Sequence, residues 1–362
     1  MQTPSTELLE ATLAAGAVAM EWSLTAYDFS AQRLEGVRFM QCNLSRASFR
    51  SAVLKNVSFI QCNLQGVDFT EAVCDNVNLI KTDCTGGRHT KIALKSCSLI
   101  ECTADGLDFS GASLQQTNII KSTLGHTKWD DTTLSSSGFV QSAMSQASFI
   151  GSRLESAYFV ETDLFGASWT GADFRQTVFQ QAKLQGSMFA DIGFYYCLFQ
   201  DTDLTGCQFQ RASLPGTMML KANLQGIDFS GARANLARFD GSNLADSRWT
   251  GAELVEAGFE GACMRKACFD GAMLTRARMQ HADLTDASFC GAHCSDMTFE
   301  HAQLLRTNFS DAQCARLRLH GASLQDEQPG RDWHTAVRQN ATRLESERYD
   351  PPKLFMTTDR TL

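Results

Sequence analysis

Large apolar residues recur at every fifth position along most of the chain. The spacing runs from Leu24 to Leu324 without a shift, which makes 61 such centres, and a small residue, usually Ala, Ser, Thr, Cys or Val, lies two positions before each. An α-helix would rotate successive centres by about 140°. A continuous strand would send alternate centres to opposite faces, because its side chains alternate with a period of two. The pattern therefore predicts a chain that turns once per pentad and directs both the small residue and the centre inwards.

The fifth residue of each pentad is predicted to form the corner. Of the 26 Gly in the chain, 19 lie at this position, where a turn that needs positive φ favours Gly. The centres also alternate, with Leu at 21 of the 31 centres whose numbers end in four and Phe at 20 of the 30 that end in nine. The repeat unit is therefore at least ten residues long.

A longer period indicates the number of sides. Every twentieth residue from position 40 is aliphatic, and each is followed by a long polar corner residue without Gly. The aliphatic residues are Met40, Ile60, Ile80, Ile100, Ile120, Val140 and Val160, and the corner residues are Gln41, Gln61, Lys81, Glu101, Lys121, Gln141 and Glu161. Recurrence every twenty residues predicts four pentads per coil. The expected fold is a four-sided parallel β-solenoid of about fifteen coils and about 70 Å in length.

This pattern resembles the pentapeptide-repeat family, whose signature is Ala, Asp or Asn, Leu and two variable residues. The segments Ala-Asn-Leu-Gln-Gly at 222–226 and Ala-Asp-Leu-Thr-Asp at 282–286 match it directly, and the resemblance covers residues 22–325. The resemblance implies an all-β, right-handed quadrilateral β-helix with Leu and Phe stacked inside. The handedness comes from the resemblance and not from the spacing.

The two ends and one internal stretch depart from the pattern. Residues 1–21 are predicted to form an N-terminal capping helix over 5–19 that starts near Ser5, and residues 22–325 the solenoid. Residues 326–362 are predicted to form a second amphipathic helix over 331–347, with Trp333, Val337 and Leu344 on one side, followed by an extended tail. The pattern of large apolar centres is weakest over 74–104, which predicts a bulge, kink or flared coil there. His89 occupies a centre in this stretch, and if it is buried it needs a hydrogen-bond partner.

Composition and charge exclude several classes of protein. Acidic residues exceed basic ones by 40 to 32, for a net charge of −8, and the excess lies in residues 101–300. Direct binding of nucleic acid phosphates is therefore not expected. The 13 Cys include no Cys-x-x-Cys pair, Glu7 and Glu10 stand where a signal peptide would be basic, and no stretch is long and apolar enough to cross a membrane. Reduced thiols and a cytoplasmic location follow as expectations, with signal-independent export left open.

No residue pattern indicates catalysis, a cofactor or a metal. Walker, dinucleotide-binding, nucleophile-elbow and zinc-protease motifs are missing from the sequence, so an enzyme is not expected. Cys42 with Cys62, and Cys294 with Cys314, are predicted to stack on adjacent coils as small apolar fillers. His281 and His301 are predicted to lie one above the other on the surface, and Cys290, His293 and Cys294 to point in different directions.

The aliphatic column from Met40 to Val160 is the best functional clue. These residues are predicted to face solvent, and Tyr158, Val178, Leu198 and Met218 to continue the strip on the same side. A strip about 30 Å long is larger than a monomer usually exposes. It can serve as a partner surface, or its residues can pack on one another or under a terminal helix, and the sequence leaves both interpretations open.

Three functions are compatible with this reading. The leading hypothesis is a non-enzymatic scaffold or adaptor that binds a protein partner, or a second copy of itself, through the apolar side. The family resemblance implies a second, a DNA-mimicking binder and protector of bacterial DNA gyrase or topoisomerase IV, although Arg residues interrupt the acidic surface in the C-terminal half. It also implies a third, an effector or an effector-loading accessory of a bacterial secretion system.

Overall fold

The chain winds into a four-sided parallel β-solenoid in which the paired residues of adjacent coils are, with one exception near the C-terminal end, twenty positions apart. The computed structural model describes residues 1–326 and 328–336. Leu34 lies opposite Leu54, and Phe39 opposite Phe59, on adjacent coils. The predicted fold of four pentads per coil is confirmed. We number the sides in chain order by their centres: side 1 contains Leu24, side 2 Phe29, side 3 Leu34 and side 4 Phe39, each with its equivalents every twenty residues.

Sides 3 and 4 carry short strands, and sides 1 and 2 mostly carry single bridging residues between turns. One helix, Thr6–Ala14, precedes the first strand, and one 3₁₀ turn, Trp333–Thr335, follows the last. The ten strands on side 4 are Val18–Met20, Arg38–Met40, Ser58–Ile60, Asn78–Ile80, Ser98–Ile100, Asn118–Ile120, Gly138–Val140, Tyr158–Val160, Val178–Gln180 and Leu198–Gln200. The nine on side 3 are Arg33–Glu35, Val53–Lys55, Val73–Asp75, Ala93–Lys95, Ser113–Gln115, Thr133–Ser135, Arg153–Glu155, Asp173–Arg175 and Gly193–Tyr195. Gln303–Leu305 and Ser323–Gln325 form a pair on side 1.

The residue just before the centre explains the turns on sides 1 and 2. Asp203 accepts hydrogen bonds at Oδ1 from the backbone N–H of Thr205 at 3.0 Å and from its hydroxyl at 2.7 Å, which closes an Asx turn. The bond from the Thr205 hydroxyl has the larger effect and the bond from the N–H the smaller one, and both lower the pKa of Asp203 below its usual value. The equivalent backbone bond is made on the same two sides by Asp28, Asp68, Asp83, Asp108, Asp163, Asp228 and Asp283. On side 4 the β-branched residue after the centre favours extended backbone instead.

Corner residues adopt the left-handed conformation whether or not they are Gly. Gly66 has φ of 68°, and Gln61 and Lys81 have φ of 53° and 51°. The predicted positive φ is confirmed, but it extends to residues in which a Cβ makes this conformation costly. Backbone hydrogen bonds to the coils above and below hold these residues there, as in the bond from the Gln61 N–H to the Ile80 carbonyl at 2.8 Å.

The core consists of ring columns inside the solenoid. Phe29 and Phe49 stack at 4.7 Å on side 2, and Phe39 and Phe59 stack at 5.2 Å on side 4. Rings of the two columns meet edge to face, as Phe49 and Phe59 do at 5.8 Å and 86°. Offset stacks and edge contacts are the favoured geometries of aromatic pairs, so one column of Phe supports the other along the rod.

The predicted bulge within residues 74–104 is wrong. Cys74 pairs with Leu94, and Leu79 with Leu99, in the same twenty-residue register as elsewhere. The small centres instead leave an internal cavity of about 20 Å³ beside His89, lined otherwise by apolar side chains and Cys. His89 is 4% exposed, and its Nδ1 has no hydrogen-bond partner. The backbone ladder to both neighbouring coils resists displacement, so the missing side-chain volume appears as a void.

Both ends of the solenoid differ from their predicted boundaries. The helix begins at Thr6 with Ser5 as its N-cap, but it ends at Ala14, and Val18–Met20 already forms the first strand of side 4. At the other end Trp333 packs on Phe309 at 5.0 Å and extends the side 2 column. Only a single 3₁₀ turn lies at the start of the predicted helix over 331–347. The remainder of that helix, with Val337 and Leu344, and the predicted tail lie outside the described residues.

Candidate interaction surface

The aliphatic residues of side 4 form a continuous ladder in strict register. Met40 lies opposite Ile60, Ile60 opposite Ile80, and Ile120 opposite Val140. Ile100 and Val160 occupy the same column through the pairs Ile100 with Ile120 and Val140 with Val160. Met20, which sequence reasoning missed, pairs with Met40 and begins the ladder one coil earlier. Extending the twenty-residue spacing back from Met40 across the predicted boundary at residue 21 would have identified Met20.

The ladder residues are partly covered by their neighbours in the column. From Met40 to Val160 each is half-buried, whereas Met20 at the free end is 50% exposed. Adjacent rungs lie about 4.8 Å apart, so each branched side chain shields the next one. The residues therefore pack on each other and still present one apolar edge to solvent.

A second column continues the strip where the first one ends. Tyr158 pairs with Val178, Val178 with Leu198, and Leu198 with Met218, which is 39% exposed. Arg238 follows Met218 in this column. The apolar strip, which we define as the ladder from Met20 to Val160 with its continuation to Met218, therefore coincides with the strands of side 4 and stops close to where they stop.

Small polar residues and charged corners flank the strip. The column beside the ladder contains Ser58, Asn78, Ser98, Asn118 and Gly138. The Tyr158 hydroxyl donates to Asn118 Oδ1 across Gly138, where any Cβ would clash with the tyrosine ring. On the other flank Lys81 pairs with Glu101 at 3.6 Å, and Gln141 donates to Glu161 at 2.9 Å. The side is thus a flat face with one aliphatic ridge and a neutralised border.

Several carboxylates elsewhere on the rod form ion pairs within the chain. At the corners of the C-terminal half, Asp286 pairs with Arg306 and Asp296 with Arg316, each at 2.6 Å. The hydrogen bond from each Arg lowers the pKa of its Asp partner below the usual value. Glu256 and Arg276 continue the second of these ladders at 2.6 Å. Alternating charges at successive corners therefore neutralise one another locally, while the net charge of the chain stays −8.

The other sequence candidates do not assemble into a site among the described residues. Cys42, Cys62, Cys294 and Cys314 are buried free thiols, and no group of His, Cys, Asp and Glu in that part of the chain has the arrangement of a metal site. His281 and His301 stack with ring centroids 5.1 Å apart, as predicted. Cys290 is half-buried and accepts a hydrogen bond from Asn308 Nδ2 at 3.0 Å, while His293 is bonded to Gln313 on side 3.

This geometry defines a four-sided repeat solenoid with one apolar side, and comparison with known families agrees. A family model described as pentapeptide repeats matches residues 24–59, 58–88, 157–191, 194–233, 235–271 and 269–291, together more than half of the chain. The chain therefore belongs to the pentapeptide repeat family. The search of curated proteins returns no match.

Several solved structures are similar to the chain. HetL, a pentapeptide repeat protein involved in heterocyst differentiation regulation from the cyanobacterium Nostoc sp. strain PCC 7120, is 23% identical over 67% of this chain and 87% of its own, with a TM-score of 0.24. QnrB1, a plasmid-mediated fluoroquinolone resistance protein, is 14% identical over 76% of this chain and 97% of its own, with a TM-score of 0.25. The family assignment rests on the repeat model and not on these structures.

The described residues contain one α-helix, Thr6–Ala14. No helix in this part of the chain has the length and apolar character that crossing a bilayer requires.

Proposed function

We propose that this protein is a non-enzymatic scaffold that binds a protein partner, or a second copy of itself, through the apolar strip on side 4. The observation that carries the proposal is the unbroken register of the ladder from Met20 to Val160. Apolar residues at eight successive rungs give a straight, rigid edge with neutral borders, and exposed apolar patches of this extent mark interaction sites.

The DNA-mimic alternative has less support. A surface that imitates duplex DNA needs rows of unpaired negative charge, as the phosphates provide. In this rod many Asp residues before the centres close Asx turns, and Asp191, Asp286 and Asp296 pair with Arg211, Arg306 and Arg316. No feature of the described residues favours the secretion-system alternative over a general scaffold.

Replacement of Ile80, Ile100 and Ile120 by Lys is expected to abolish the complex and leave the rod folded. These side chains point outwards, so Lys can extend into solvent in the free protein, whereas a partner would have to bury three ammonium groups. We expect partner recovery in affinity purification, or dimer formation measured by light scattering, to fall at least tenfold. Circular dichroism should match that of the unchanged protein.

A matched control places the same three charges on side 3. Ala93, Ser113 and Thr133 also occupy one outward column on adjacent strands, so their replacement by Lys reproduces the added charge and its stacking. This control should retain the complex. Unchanged mass and partner recovery in the side 4 variant, or equal loss in both variants, would contradict the proposal.

A further inference from the structure

One position in the four ladders lacks its bridge. On side 2 the bridges connect Ser148 with Ser168 and Met188 with Gln208, but none connects Ser168 with Met188. Among the described residues, every other pair of successive coils is joined on all four sides from the coil that contains Leu24 onwards. We call the open interval between residues 166–171 and 185–191 the seam. Side 2 faces away from side 4, so the seam is separate from the apolar strip.

Backbone groups along the seam are unpaired. In the coil below, the N–H groups of Gln146, Phe149 and Gly151 donate to carbonyls of the next coil at 2.9, 2.8 and 2.9 Å. The corresponding N–H groups of Gly166, Trp169 and Gly171 make no backbone hydrogen bond. Backbone donors and acceptors near the surface of a β-structure without partners form a template for another chain.

Two buried side chains at the seam are also unpartnered. In the same column, Trp129 Nε1 donates to Thr127 Oγ1 at 2.8 Å and Trp249 Nε1 donates to Ser247 Oγ at 2.9 Å. Trp169 has Ala167 at the equivalent position, and its Nε1 has no partner. Ser187 Oγ, one coil above Ala167, has none either. Trp169 is 1% and Ser187 3% exposed.

These groups line a surface hollow of about 290 Å³. Its walls are residues 166–170 and 186–188, which include Trp169, Ser187 and Met188 and carry no charge. A Cβ at Gly186 would meet nothing within 4 Å, so the backbone is open to an approaching molecule there. Met188 in the wall is 58% exposed, and Phe165, which directly precedes the wall residue Gly166 in the chain, is 57% exposed.

We propose that the seam binds an extended peptide segment, which hydrogen-bonds through its amide groups to the unpaired donors and acceptors and packs an apolar side chain between Phe165 and Met188. An amide group supplies both a donor and an acceptor, which matches the unpaired N–H and C=O groups of the seam. An uncharged lining gives an ionic ligand no counter-charge, and an orphaned indole N–H and hydroxyl favour a carbonyl oxygen. The N–H groups of Asp201, Leu204 and Gly206 also make no backbone hydrogen bond, but no unpartnered indole N–H accompanies them.

The test uses N-acetyl-phenylalaninamide as the probe and the indole N–H resonance of Trp169 as the readout. For a probe of about 15 non-hydrogen atoms we expect a saturable shift with a Kd on the order of 1 mM. Toluene, which offers a ring without an amide, should give no saturable shift. Absence of a saturable probe shift up to about 10 mM, or equal binding of toluene, would overturn the proposal.

The variant Ala167→Ser separates recognition from folding. A Ser at this position supplies the hydroxyl that Ser247 supplies to Trp249, so the indole N–H is satisfied within the chain and the probe should bind at least tenfold more weakly. Ala147→Ser, one coil below and before Phe149, makes the same change away from an indole and should bind as the unchanged protein does. Undiminished binding by Ala167→Ser would overturn the assignment.

Hydrogen exchange tests the seam without any variant or ligand. Amide protons of Gly166, Trp169 and Gly171 should exchange faster than those of Gln146, Phe149 and Gly151, because only the second set is bonded to the next coil. Equal protection of the two sets would show that the seam is closed and would remove the site.

Discussion

Replacing His89 with Phe should raise the free energy of unfolding at pH 7 by about 2 kcal/mol, because a buried nitrogen without a hydrogen-bond partner destabilises the folded state by about that amount. The His89 ring lies 5.1 Å from Phe69 and 4.9 Å from Phe109, at a position where the column otherwise holds aromatic rings. Its Nδ1 has no partner, and a cavity of about 20 Å³ adjoins it. A Phe ring restores the stack and fills part of this void.

The same residue should make stability depend on pH. Burial lowers the pKa of His89 from 6.5 to about 4, so the unfolded chain takes up a proton at a higher pH than the folded chain does. Stability is therefore highest above pH 6.5 and falls as the pH drops towards 4, by about 3 kcal/mol in total. His89→Phe should abolish this slope. The lowered pKa values of Asp203 and similar carboxyl groups also remove stability at acid pH, but this loss begins only near pH 5, so the effect of His89 is read between about pH 5 and 7.5.

Urea unfolding between pH 5 and 7.5 measures both effects. His126→Asn is a suitable control, because His126 is an exposed corner residue with φ of 56°, which Asn tolerates. This variant should keep the slope of the unchanged protein. A His89→Phe protein with an unchanged slope, or with lower stability at pH 7, would show that His89 is hydrogen-bonded or charged in the folded state.

Truncation of Trp249 to Ala should lower the free energy of unfolding by about 3–5 kcal/mol, the cost of removing a large aromatic side chain from a core. Trp249 stacks on Phe229 at 4.1 Å and meets Phe239 and Phe259 edge to face at 5.0 and 5.7 Å. Its Nε1 donates to Ser247 at 2.9 Å. The variant opens a cavity that the paired coils cannot close, because their backbone ladders hold the spacing.

Two milder variants distinguish the contribution of the Trp249 ring to stability from the contribution of its hydrogen bond. Trp249→Phe keeps a ring typical of this column and should cost about 1 kcal/mol, whereas Ser247→Ala should cost about 1–3 kcal/mol by leaving the indole N–H unpaired. Because each coil contacts mainly its neighbours, faster hydrogen exchange in Trp249→Ala should concentrate around residues 229–269. A loss below 1 kcal/mol in that variant would contradict the packing argument.

Much of the candidate surface could be predicted from the amino-acid pattern. The period of twenty places Ile60, Ile80 and Ile100 in one column, and the structure pairs them in that order. Met20 escaped because a boundary was placed at residue 21, although it lies twenty residues before Met40. The strands of side 4 and the turns of sides 1 and 2 have local causes as well, since Asp before the centre closes a turn and Ile or Val after it favours a strand.

What the sequence determined by itself is the coil: its four sides, its register and which columns face outwards, because these depend on a short pattern repeated along the chain. The tertiary structure decided what happens at the positions where that pattern is imperfect. It places a cavity at His89 where the sequence predicted a bulge, and it leaves the seam at Trp169 open. Both features depend on side-chain volume and hydrogen bonds summed across adjacent coils, which are twenty residues apart in the chain and meet only after folding.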